Sequence, residues 1–158
     1  MSAQFEAVQA TIQDLEAVAE IFDQYRIFYG QQSDVEQART FLFDRFEHRE
    51  SIIFIVRDKG TAVIAGFTQL YPMFSSISME RSLLLNDLYV SETYRRQGIA
   101  QLLLDEAKQY AKSIKAKGLE LSTAIDNKQA QRLYERNGYG RDEEYYHYYL
   151  GVKGNDAV

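Results

Sequence analysis

LNDLYVSETYRRQGIA, residues Leu85–Ala100, joins a strand-like apolar run to the start of a helical period. Leu83–Val90 has the length and composition of a strand, whereas from Gly98 onward Ile99, Leu102, Leu103, Ala107, Tyr110 and Ile114 recur on one helical face. Two adjacent arginines, a glycine and an alanine fill the junction. A helix N-terminus leaves backbone N–H groups without internal partners and carries partial positive charge, so it attracts phosphate. Gly98 would let an anion approach the backbone with no Cβ in the way, and Ala100 keeps the next turn small. Arg95 and Arg96 add cationic donors. The pattern is neither a Walker A loop nor GxGxxG, so ATP and NAD are not favoured. On these residues alone, a solvated turn with surface arginines reads equally well.

Working outward, the helix from Gly98 should close at Lys117-Gly118. Leu119, Leu121 and Thr123 alternate with polar residues as a half-buried strand does. Asn127–Arg136 reads as a short helix ended by Asn137-Gly138. Glu144–Leu150 is expected to be a final strand, its aromatic YYHYYL run covered on both faces, or else an acceptor wall or dimer seam. Toward the N-terminus, Phe5–Ala10 is a first strand. Thr11 with Asp14 forms a capping box for a helix burying Leu15, Val18, Ala19 and Phe22. Ser33 with Glu36 repeats the signal before a helix burying Val35, Ala38, Phe41, Leu42 and Phe46. Ile52–Val56, Ala62–Tyr71 and Phe74–Met79 are further strands, the first two joined by an Asp58-Lys59-Gly60 turn, with Gly66 marking a bulge or a close backbone approach. The order is mixed α/β.

The 158 residues suit one domain, taken here as 1–158 with 151–158 as a flexible tail. A net charge of −5 argues against a general nucleic-acid binder but leaves room for a local anion pocket. The absence of cysteine excludes disulfides, thiolate metal sites and a cysteine nucleophile, and no metal site is expected. No apolar run is long enough to span a bilayer and no signal pattern opens the chain, so a cytoplasmic protein without a membrane partner is expected.

NDLYVSETYRRQGIAQLLLDEA followed by DNKQAQRLYERNGY resembles the GNAT superfamily of acetyl-CoA-dependent N-acetyltransferases. Arg95, Gly98 and Ala100 match the family's Arg/Gln-x-x-Gly-x-Gly/Ala signature. Asn127, Ala130, Leu133-Tyr134 and Gly138-Tyr139 match its later pattern, at the expected separation. Within the superfamily, the stretch from Leu85 to Ala100 looks most like the spermidine/spermine acetyltransferase-like branch. The resemblance covers roughly residues 5–150. It implies a mostly antiparallel mixed sheet, splayed after Leu83–Val90 and flanked by helices on both faces.

It also implies acetyl-CoA as co-substrate and a set of roles. Leu88 and Val90, with Tyr89 between them, would offer main-chain contacts to pantetheine. Amides from Arg96, Gln97, Gly98, Ile99, Ala100 and Gln101, beside Arg95, would hold the pyrophosphate. Tyr134 stands at the general-acid position, where it would protonate the CoA sulfur; spacing alone would read it as a core tyrosine. Asn127 would bind the pantetheine arm, cap its own helix, or do both. Several relatives carry Glu-Asp where this chain has Asn86-Asp87, which leaves Asp87 to orient a water or bind the ammonium, or to serve structure only. Arg26, Phe28 and Tyr29 fall where relatives build the acceptor pocket: Arg26 suits a substrate carboxylate and the aromatics would wall its body, although an aromatic helix end packed into the core reads as well. The expected partners are a small-molecule primary amine and a second copy of the chain, since dimers are common in the family. The alternatives are a protein N-terminal or lysine acetyltransferase and a non-catalytic acyl-CoA sensor.

Overall fold

The computed structural model describes residues 4–154; the last four residues of the expected tail lie outside them. The chain divides into two compact units, Met1–Ser122 and Thr123–Val158.

The first unit is built on a five-stranded sheet of β1 (Phe5–Gln9), β2 (Ile52–Asp58), β3 (Ile64–Ser75), β4 (Glu80–Val90) and β5 (Leu119–Glu120), in that spatial order. The first three pairings are antiparallel and β4–β5 is parallel. Strand alternation sends successive residues to opposite faces. Ile53, Ile55 and Phe67 join Val18, Ala19 and Phe22 of α1 (Leu15–Phe28) and Leu42 of α2 (Val35–Glu47) in one buried cluster. Their neighbours face α3 (Ile99–Ser113), where the rings of Phe54 and Tyr110 stand 5.8 Å apart. Helices therefore flank both faces, as expected of this fold.

Gly66 explains how closely α3 can lie. A Cβ there would sit 2.9 Å from Ile99 Cγ2 and 2.9 Å from the Tyr89 carbonyl oxygen, so only hydrogen fits. The register slips beside it: Val56 faces Gly66, but Arg57 faces Ile64. Both readings of this glycine hold.

Several local expectations are corrected. Asp34, not Ser33, caps α2 by accepting from the Gln37 N–H at 3.1 Å, while the Ser33 hydroxyl donates to Asp23. In α2 only Ala38 and Leu42 are buried, because the helix covers a narrow strip of the sheet. Helix α3 ends at Ser113, four residues before Lys117-Gly118, and Lys115 rather than a glycine takes the left-handed conformation at φ 59°. The strand expected at Phe74–Met79 is the end of β3 plus a turn at 76–79. Pro72 is tolerated inside β3 because pairing with β2 stops at Leu70, so one edge there has no ladder to break.

The second unit contains α4 (Lys128–Arg136), capped by Asn127. The final strand expected at Glu144–Leu150 is absent: no ladder pairs these residues, and Tyr146 and Tyr148 are 89% and 92% exposed. Aromatic composition favours a strand only where a partner strand accepts it.

Candidate active site

β4 and the loop that follows it carry two features back to back. The loop is anchored by the Tyr94 hydroxyl, which donates to Asp58 at 2.8 Å, and by the Ser91 N–H, which donates to the Ala65 carbonyl at 2.8 Å. Arg96 at φ 64° and Gly98 at φ 82° then turn the backbone into α3. No side chain caps this helix, in contrast to α2 and α4. A Cβ built on exposed Gly98 meets no atom within 4 Å, so the first turn of α3 faces open space. Arg96 and Gln97 are exposed there; Ile99 is buried in the α3 core, and Ala100 and Gln101 are half-buried.

Arg95 is committed differently. Its Nε donates to the Val90 carbonyl at 3.0 Å, and its guanidinium lies 5.0 Å from the Phe28 ring centroid and 5.6 Å from that of Tyr89. β5 pairs with β4 only at Leu83 and Leu84. Among the described residues, no strand lines that side of β4 from Leu85 to Val90. Leu88, Tyr89 and Val90 lie on this open stretch.

The other feature depends on a β-bulge. Gln69 faces Asp87 but Leu70 faces Leu85, so Asn86 is an extra residue in β4. Regular alternation would put Leu83 and Asp87 on one face. Instead Leu83 lines a cavity with Tyr110 of α3 and Ile114 just beyond its end, whereas Asp87 faces α1. The bulge also lets neighbouring Asn86 and Asp87 line the same cavity, of about 380 Å³, within the usual range for small-molecule sites.

Asp87 is 2% exposed at the floor of that cavity. Its carboxylate accepts from the Tyr25 hydroxyl at 3.0 Å, from the Asn86 amide at 2.8 Å and from the Gln69 amide. The Ser51 hydroxyl donates to the other end of the Gln69 amide at 2.8 Å, which fixes its NH2 toward Asp87. Burial pushes the Asp87 carboxyl above its ordinary value, and the three donors pull it partly back. Burial, then the charge of Asp87, raises Tyr25 and pushes Tyr71 up to about 12, so both phenols stay protonated at neutral pH. Phe22, Tyr25, Phe41 and Tyr71 supply aromatic walls, and among the described residues half-buried Arg26 is the one cation lining the cavity.

Of the residues expected to bind acceptor, Arg26, Asn86 and Asp87 come together here. Phe28 and Tyr29 do not line this cavity; they are 58% and 60% exposed and pack edge-on against each other. Gln69, Phe22 and Phe41 had been read only as strand or core residues. A glutamine inside the apolar run Ile64–Tyr71 was the signal available for Gln69. In the second unit, Asn127 caps α4 through the Ala130 N–H at 3.2 Å, and the half-buried Tyr134 ring lies 5.9 Å from that of Tyr139.

Residues 15–139 match the model of the Acetyltransferase (GNAT) family. A Bacillus subtilis protein described as the uncharacterized N-acetyltransferase YhfO is 47% identical over 144 residues, covering 91% of this chain and 95% of that protein. A probable acetyltransferase of Haemophilus influenzae is 33% identical over 61% of this chain and 66% of its own length. The crystal structure of a probable acetyltransferase matches with a TM-score of 0.89 at 42% identity, covering 94% of this chain and 99% of the other.

Proposed function

We propose that this chain, which belongs to the GNAT family of acetyltransferases, moves an acetyl group from acetyl-CoA directly to the primary amine of a small molecule. The observation that carries the acceptor side is the buried Asp87 carboxylate at the floor of an aromatic-walled cavity, which suits a protonated amine. The family generally uses acetyl-CoA, and the residues present fit it: Gly98 faces space that a side chain would fill, and the uncapped start of α3 offers amides for a pyrophosphate. Arg96, Gln97 and Gly98 through Gln101 would hold that group, and the open stretch Leu88–Val90 would lie along the pantetheine arm. When bound, acetyl-CoA supplies an activated thioester.

The chain's own residues do the rest. Asp87 receives the ammonium and, through a water, carries off its proton as the amine becomes nucleophilic. Tyr25, Asn86 and Gln69 hold that carboxylate in place. Tyr134 is the proposed proton donor to sulfur, and Asn127 the proposed second contact to the pantetheine arm. In balance, an alkylammonium and acetyl-CoA give the N-acetyl amide, the CoA thiol and one proton. The lack of cysteine removes a cysteinyl intermediate and supports transfer within a ternary complex. A spermidine/spermine-like acceptor is one small amine within this reading, supported by the likeness of Leu85–Ala100 to that branch. A homodimer in the cytoplasm is part of the same proposal; no described helix is long and apolar enough to cross a membrane.

The test is CoA release from acetyl-CoA across polyamines, amino acids, aminoglycosides and short peptides, with calorimetric acetyl-CoA binding alongside. Turnover with small amines is expected. Acetyl-CoA binding with no release on any acceptor would favour a sensor, and turnover on peptides alone would favour a protein acetyltransferase.

A further inference from the structure

Two charged residues line the acceptor cavity. Asp87 is an anion in its floor, and Arg26 is a cation in its wall. Asp87 already holds three donors, and an ionised carboxylate offers about four acceptor sites, so one position remains for an N–H of the ligand. Arg26 is in the opposite condition. Among the described residues it pairs with no carboxylate, and its side chain's one hydrogen bond is from Nη1 to the Gln32 carbonyl at 3.5 Å, the limit of such contacts. A guanidinium carries five donors in a planar fork that matches a carboxylate. The contrast with nearby Arg45 is direct: that side chain is tied to Glu50 at 3.0 Å and lies 4.3 Å over the Phe41 ring. Phe22, Tyr25, Phe41 and Tyr71 line the same cavity.

We infer that the acceptor is a small amino acid-like molecule: a primary ammonium seated on Asp87, a carboxylate on Arg26, and an apolar body against Phe22, Phe41 and Tyr71. This rests on the acetyltransferase reading above and narrows it. A polyamine would satisfy Asp87 but bring a second ammonium toward Arg26, where like charges repel. The Asn86 amide, standing where an acid would favour a second cation, fits the same preference.

Matched acceptors test this. L-Phenylalanine is compared with phenethylamine, and 5-aminopentanoate with 1,5-diaminopentane, each by kcat/KM for CoA release and by thermal shift of the protein in the presence of CoA. The first pair represents α-amino acids and the second ω-amino acids, so the arms tell the two apart. In at least one pair, the carboxylate member should be favoured tenfold or more. Arg26→Gln should shrink that ratio at least fivefold, by raising KM for the carboxylate member more than for its partner, and Arg26→Lys should restore part of it. Equal or reversed preference in both pairs overturns the inference, as does a ratio that Arg26→Gln leaves intact. The thermal shift separates the two levels of failure. If no amine is acetylated but the amino acid alone stabilises the protein, the acetyltransferase reading fails and the pocket assignment stands. If the diamines stabilise it as well as the amino acids do, the pocket assignment fails whatever the enzyme does.

Discussion

The guanidinium of Arg95 lies 5.0 Å from the ring centroid of Phe28, joining the last turn of α1 to the loop that opens α3. The arginine of the signature is therefore held by the protein itself, on an aromatic face and on the Val90 carbonyl. An exposed cation–π pair contributes about 0.5–1 kcal/mol. A double-mutant cycle with Arg95→Ala and Phe28→Ala, read by urea unfolding, should show a coupling of about that size. Strict additivity would mean that the contact does not position the loop.

Asp87 makes a prediction in pH. Burial raises its folded-state value above the ordinary 3.8, so the folded protein binds that proton more tightly than the unfolded chain. Stability is then lost as pH rises from the ordinary carboxylate value to the raised one, and the penalty is constant above it. Asp87→Asn removes the titration. Its Tm relative to wild type should climb with pH across that window and run parallel below it. The same variant should lose at least tenfold in kcat/KM, together with the acid limb of the wild-type profile. Parallel Tm curves at every pH would show that burial does not raise the Asp87 carboxyl above its unfolded value.

Gly98 separates ligand space from packing. A Cβ at this position meets no protein atom within 4 Å but must adopt φ 82°, a strain of about 1 kcal/mol. Gly98→Glu should therefore fold, with a modest fall in Tm, yet bind acetyl-CoA at least a hundredfold more weakly by calorimetry. Wild-type affinity in that variant would remove the loop from the cofactor site.

Tyr134→Phe keeps the ring and deletes the hydroxyl. General acid catalysis contributes about 10²–10⁴-fold. The variant should lose at least tenfold in kcat while its acetyl-CoA Kd changes less than threefold. Unchanged turnover would return Tyr134 to a packing role beside Tyr139.

The parts of this molecule legible from sequence are those written in local chemistry. The capping box of Thr11 and Asp14 formed, because both of its hydrogen bonds close within one turn, but it caps the short 3-10 turn Ile12–Asp14 ahead of α1 rather than α1 itself. Gly66 was legible because a glycine inside an apolar strand has few other uses. The acceptor cavity was only half legible. Arg26, Asn86 and Asp87 were picked out, but Phe41 reaches the same cavity from α2, and Gln69 reaches Asp87 from β3, through pairings that no periodicity reveals. The tyrosine run at Tyr145–Tyr149 misled for the complementary reason: composition describes what a strand would accept, not whether a partner is there.

The bulge at Asn86 acts as a phase shift in β4. Leu83 and Leu85 keep step with one layer of the molecule, Asp87 and Tyr89 with the other, and the single added residue is the half-step between them. Point substitutions along the strand leave that timing alone. Drawing Asn86 into regular pairing with β3 would not: every side chain on one side of it would change faces, trading leucines for a carboxylate in the α3 layer. The strand is thus tolerant in spelling and intolerant of a flattened bulge, and its acid owes its place in the acceptor cavity to that one unpaired residue as much as to its own identity.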